Sequence, residues 1–232
     1  MFVIKFIRSV LVLSVVSALS ARAQIIGAPV PENSGNQFPF GSPVGGNPGT
    51  RYQQVYDRNA VTAGPITGVR FFRTSATNGT GDLADARFLF SLSSTTRAVN
   101  NLNTRNFDRN LGADNTLVLD LTTKGINVAF GSAMTFNFTQ AFDYNPADGN
   151  LLLDIQLSNI AKRGDVFFDG RFDDFGTTSS RAHNFGAGFE SIGLVTEFLH
   201  ETSTTVPEPS TYALMATGLA AIAFVRRRVS VR

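Results

Sequence analysis

The chain has 232 residues with no cysteine, no tryptophan, two histidines and 21 phenylalanines, and its formal net charge is +2. Without cysteine there are no disulfides, thiol nucleophiles or thiolate metal sites, so stability rests on apolar burial. The basic excess is terminal: residues 24–205 hold 13 basic and 17 acidic side chains, a net of −4 with no Lys or Arg block, which excludes a nucleic-acid footprint.

In chain order, the first segment is a leader. Met1 to Ser9 carries Lys5 and Arg8, Val10 to Leu19 is almost wholly apolar, and Ala21 and Ala23 place small residues at both recognition positions of a signal peptidase. The expectation is a signal peptide over 1–23, with Gln24 as the first mature residue. An apolar run of about ten residues is too short for a retained membrane helix. The absence of a twin arginine points to export of an unfolded chain. Residues 24–50 are dense in Gly, Pro and Asn and are expected to form an irregular arm, pinned to the domain by Phe38 and Phe40.

Residues 51–199 read as strands. Phe88, Phe90 and Leu92 share one face of Arg87 to Leu92, Met134, Phe136 and Phe138 alternate with polar residues, and Leu151 to Leu157 puts Asp154 and Gln156 on the wet side. Further strands are expected at 51–56, 68–73, 116–121, 166–169, 180–185 and 194–199. The stretches between them, such as Asn78 to Asp82 and Asp143 to Asn150, have turn compositions. No long stretch has a 3.6-residue apolar period. The expected class is all-β: a two-layer antiparallel β-sandwich, jelly-roll-like. Eighteen of the 21 phenylalanines lie in residues 24–205, where each buried ring contributes roughly 1.5 to 3 kcal/mol.

Three constellations bear on function. Tyr52, Gln54 and Tyr56 fall on one face of their strand, two rings and an amide of the kind that stacks on and bonds to sugars; the alternative is tyrosines capping a sheet edge with rings inward. Asp169, Asp173 and Asp174, near Asp165, are candidate ligands of a structural calcium ion, the alternative being a solvated turn. Asp143, Asn145 and Asp148 lack the glycine and glutamate positions of a calcium loop and fit an Asn-Pro turn better. Catalysis finds little: His183 and His200 have no metalloprotease spacing, no G-x-S-x-G elbow occurs, and paired carboxylates for glycoside hydrolysis have no marked cleft. The expectation is a protein without enzymatic activity and without a cofactor other than that calcium.

A polar connector, 200–205, leads to the tail. Val206, Pro207, Glu208, Pro209 and Ser210 should stay extended, because proline lacks an N–H and fixes φ. Tyr212 to Val225 is an uncharged run expected to form one C-terminal transmembrane helix, followed by Arg226, Arg227 and Arg228, which the positive-inside rule holds in the cytoplasm. Fourteen helical residues reach roughly 21 Å against a hydrocarbon core of about 30 Å, a gap that snorkelling arginines narrow.

Pro-Glu-Pro, a short apolar helix and a terminal arginine cluster, in that order over 206–232, resemble the PEP-CTERM sorting signal of exported Gram-negative proteins. The resemblance implies an exosortase, an intramembrane transpeptidase, as processing partner, an inner-membrane intermediate with its ectodomain in the periplasm, and then a place at the cell surface or in the extracellular matrix. It also implies association with exopolysaccharide or biofilm matrix. The alternatives are a plain C-terminal anchor for the tail, and a carbohydrate-binding module or glycoside hydrolase for the ectodomain.

Overall fold

The computed structural model describes residues 24–27, 35–41, 50–73, 79–172, 177–184, 188–190, 192–201 and 217. Residues 22–201 form one compact unit; of the other, 1–21 with 202–232, only residue 217 is described. The leader, most of the connector, the sorting residues and the apolar tail therefore lie outside the described residues. Among the described residues no helix is long and apolar enough to cross a membrane.

The unit is all-β and its paired strands are antiparallel. They are β1 (Gln24–Ile26), β2 (Gly35–Asn36), β3 (Thr50–Tyr56), β4 (Gly64–Phe72), β5 (Asp85–Thr95), β6 (Thr116–Thr122), β7 (Ala133–Tyr144), β8 (Asn150–Lys162), β9 (Phe168–Phe172), β10 (Ser179–His183), β11 (Gly188–Glu190), β12 (Ile192–Leu194) and β13 (Thr196–His200). A six-stranded sheet runs β11-β10-β3-β8-β5-β6, a four-stranded sheet β1-β13-β4-β7, and a small one β12-β9-β2.

Alternation in the sequence becomes rows across the larger sheet. Tyr52 of β3 lies opposite Ile155 of β8, Ile155 opposite Phe90 of β5, and Phe90 opposite Leu119 of β6. The next row joins Gln54, Leu153 and Leu92. In the four-stranded sheet Phe198, Val69 and Phe136 make the corresponding row. All of these apolar residues are buried, and their rings meet across one core: Phe90 and Phe136 are 4.8 Å apart, Tyr56 and Phe198 5.0 Å. Thr139 of β7 donates to the carbonyl of Val118 in β6 at 3.0 Å, linking one edge of each sheet.

Phe40 completes the core from the arm. It is fully buried, with its ring 5.1 Å from both Phe71 and Phe136, 5.4 Å from Phe168 and 5.7 Å from Phe88. The arm is also less irregular than its composition suggests, since β1 pairs with β13 and β2 with β9. Composition registers the turns there but not the partners that an edge strand finds.

One expectation of facing fails. Asp154 is not on a wet side but 2% exposed, and Leu152 beside it is fully buried. The outer face of the six-stranded sheet carries its own apolar cluster, in which Val55, Leu152 and Ala182 of the strands pack with Val99, Leu102 and Phe107 of the β5–β6 connection. A long connection folded over the sheet removes water from positions that alternation alone assigns to solvent.

Candidate functional site

Tyr52, Gln54 and Tyr56 do share a face, but it is the inner one, and all three are fully buried. Their register partners Ile155, Leu153 and Leu151 place them over the core. The Tyr52 hydroxyl donates to Oε1 of Gln54 at 2.5 Å, and Gln54 bonds both to the carbonyl of Leu194 (3.0 Å) and to its N–H (2.8 Å). Tyr56 and Thr196 share a hydroxyl–hydroxyl bond at 2.9 Å, and burial pushes the Tyr56 phenol well above its ordinary pKa, with Tyr52 adding to the shift. These residues stitch β3 to the segment leading into β13. They cannot stack on a sugar, which corrects the sequence expectation; an amphipathic tyrosine suits a buried seam as well as a surface platform.

Of the calcium trio, Asp169 lies on β9, half-buried, while Asp173 and Asp174 lie outside the described residues. Among the described residues no group of three or more His, Asp or Glu gathers around a possible ion. Asp165 closes a turn instead. Its carboxylate accepts the N–H groups of Thr80 (2.7 Å), Gly81 (2.9 Å) and Asp82 (3.0 Å) and the Thr80 hydroxyl (2.7 Å). Burial works against its charge, but these bonds outweigh it and hold Asp165 below the ordinary carboxylate range. Asn145 accepts the N–H of Ala147 at 3.1 Å over Pro146–Asp148, a capped turn. His183 and His200 stand on β10 and β13, in different sheets. Ala21, Ala23, Val206 to Ser210, Tyr212 and Arg226 to Arg228 lie outside the described residues.

The sequence reading missed a polar cleft of about 710 Å³ on the outer face of the six-stranded sheet. Arg51 of β3 forms its floor. Register puts Arg51 opposite Gln156, so Asp154 is its diagonal neighbour, within reach of a long side chain. The guanidinium grips Asp154 with two bonds, Nε to Oδ1 and Nη2 to Oδ2, both 2.9 Å, and turns Nη1 to Asp108 at 2.7 Å. Its plane also lies over the Phe107 ring, 5.7 Å from the centroid. Burial disfavours the Arg51 charge, yet Asp154 and Asp108 more than compensate and raise its pKa.

One wall is the segment Thr104 to Asp108, ahead of and entering the 3-10 turn Phe107–Asn110; the facing walls are Gln156 to Ser158 of β8 and His183 with Asn184. Buried amides fix the turn. Asn110 donates to Gln53 Oε1 (2.7 Å) and to the carbonyl of Asn103 (2.9 Å), Gln53 donates to the carbonyl of Phe107 (3.1 Å), and Asn103 returns its N–H to Asn110 (2.7 Å). Asp108 stands out from the rim, its side chain 74% exposed. The arrangement places donors and acceptors side by side on a rigid support. A charged pair on neighbouring strands, Arg51 with Asp154, was the available signal, but it needed the strand register to be read.

Residues 205–228 match the family model of the PEP-CTERM protein-sorting motif. No curated protein and no solved structure matches the chain. The chain therefore carries the mark of an exported, transiently membrane-anchored protein whose sorting partner is an exosortase.

Proposed function

We propose that this is a cell-envelope protein whose leader is removed by signal peptidase after Ala23, whose tail is cut by an exosortase near Pro207-Glu208-Pro209, and whose ectodomain serves without catalysis in contact with exopolysaccharide matrix. In this reading the ectodomain is a two-layer, jelly-roll-like sandwich of the six-stranded and four-stranded sheets. Its ring contacts across one core support that architecture. The single observation that carries the function is the sorting motif at 205–228, which begins four residues after the last described residue of the domain, Glu201.

The chemistry of the tail supplies an order of events. The apolar run Tyr212 to Val225 stops in the inner membrane with Arg226, Arg227 and Arg228 held on the cytoplasmic side, and the extended Pro-Glu-Pro segment stays accessible on the other. Transfer then releases the ectodomain to the surface or matrix. In a host with an exosortase, mass spectrometry of envelope fractions should find the mature protein without Tyr212 to Arg232, and Glu208→Ala or Pro207→Ala should accumulate the uncleaved precursor in the inner membrane. Neutralising Arg226, Arg227 and Arg228 should instead weaken retention. An intact Arg232 on the wild-type surface protein would reduce the tail to a plain anchor.

A further inference from the structure

We infer that the cleft over Arg51 binds a neutral, hydroxyl-rich saccharide, an assignment that rests on the matrix reading above and gives it a site and a ligand class. Charge is the first argument. The positive Arg51 and Arg105 are matched by the negative Asp154 beneath and Asp108 on the rim, so the cleft offers no net field to draw in a polyanion or a cation.

Hydrogen-bonding capacity is the second. The Arg105 guanidinium only donates and the exposed Asp108 carboxylate accepts, while Asn106, whose Oδ1 takes the N–H of Asp108, keeps its amide donor and Gln156, whose Nε2 is given to Asp154, keeps its amide acceptor. A sugar hydroxyl, donor and acceptor at once, can bridge such neighbours, whereas an apolar chain would leave them unpaired. Two further observations favour a site over a purely structural feature. A buried ion pair such as Arg51 with Asp154 usually stabilises a fold no better than apolar residues of the same size, so its place under a cleft needs another reason. The amide lattice around Asn110 also sets the wall before any ligand arrives, which lowers the entropy cost of binding. Phe107 is buried beneath Arg51 and offers no open ring face, so polar side chains carry the binding.

Saturation-transfer NMR on the full chain in detergent tests this, with cellohexaose and maltohexaose as neutral probes and a hexamer of galacturonate as the charged one. At least one neutral probe should receive saturation, the galacturonate less, and Asp108→Ala, which removes the exposed acceptor, should weaken the neutral response about tenfold while lowering the melting temperature by no more than about 4 °C, since only an exposed ion pair to Arg51 is lost with it. Arg105→Ala should weaken it as well. No transfer to either neutral probe, a preference for galacturonate, or an undiminished response in Asp108→Ala overturns the assignment. Tail processing, read by mass in envelope fractions of a host with an exosortase, is independent of these outcomes: a chain that is sorted but does not bind sinks the cleft alone, and one left with an uncleaved tail in that host sinks the sorting reading.

Discussion

Removing Arg51 tests the account of the outer sheet face most sharply. Asp154 is 2% exposed and loses two bonds of 2.9 Å in Arg51→Ala, keeping only the amide of Gln156 at 3.2 Å. A carboxylate left buried without its cation costs about 3–5 kcal/mol, which for a domain of this size lowers the melting temperature by roughly 6–20 °C. Urea titration of residues 22–201, which form a compact unit, should read that loss in the midpoint with little change in slope. Replacing both partners, Arg51→Met with Asp154→Leu, should recover most of the loss, since apolar residues of similar volume pack there without a desolvation penalty. A loss below about 1 kcal/mol in the single variant, or a double variant no better than the single, would refute the reasoning.

Phe136→Ala, which empties a ring site contacting Phe40, Phe90 and Phe71, should cost about 3–5 kcal/mol in chemical unfolding, while Asn137→Ala on the exposed face of the same strand should stay within about 0.5 kcal/mol. Asp165 is held below the ordinary carboxylate range in the folded state, so its contribution is present above the unfolded value near 3.9 and is lost as pH falls through the folded one. Asp165→Asn should accordingly be less stable than the wild type at pH 7 and show a shallower loss of stability between about pH 5 and pH 2 in a series of thermal melts. Residues 24–205 should give a β-dominated circular dichroism spectrum and melt cooperatively in the presence of reductant, there being no cysteine to protect.

Strand positions were legible because alternation is a local property. The run from Thr116, the alternation around Phe136 and the apolar face of Leu151 to Leu157 all became strands, and the structure mainly lengthened them, as in β5 and β8. Facing was legible only where one side is wet. In β3 nearly every residue is buried, so Tyr52, Gln54 and Tyr56 could be assigned to a common face but not to the inner one. Gln53 and Asn110 hold the connection to the sheet through bonds between residues 57 apart, which no short-range pattern contains. Phe40 is the same lesson in reverse: a Gly- and Pro-rich segment reads as irregular, and one ring within it still fills the core. The cleft stayed hidden because Arg51 and Asp154 lie 103 residues apart and meet only through the register of β3 and β8.

The order of the four-stranded sheet has a bearing on export itself. β13, the last strand of the unit, is not an edge strand but lies between β1 and β4. A chain emerging N-terminus first can pair β4 with β7 early, yet β1 has nothing to hold until Thr196 to His200 arrive. Closure of the sheet is thus timed by the residues immediately ahead of the sorting motif, and any chain truncated before Thr196 leaves open edges on both β1 and β4, the kind of surface that aggregates or is degraded. Because the motif at 205–228 follows Thr196 to His200, a chain that carries it also carries the strand that closes the sheet.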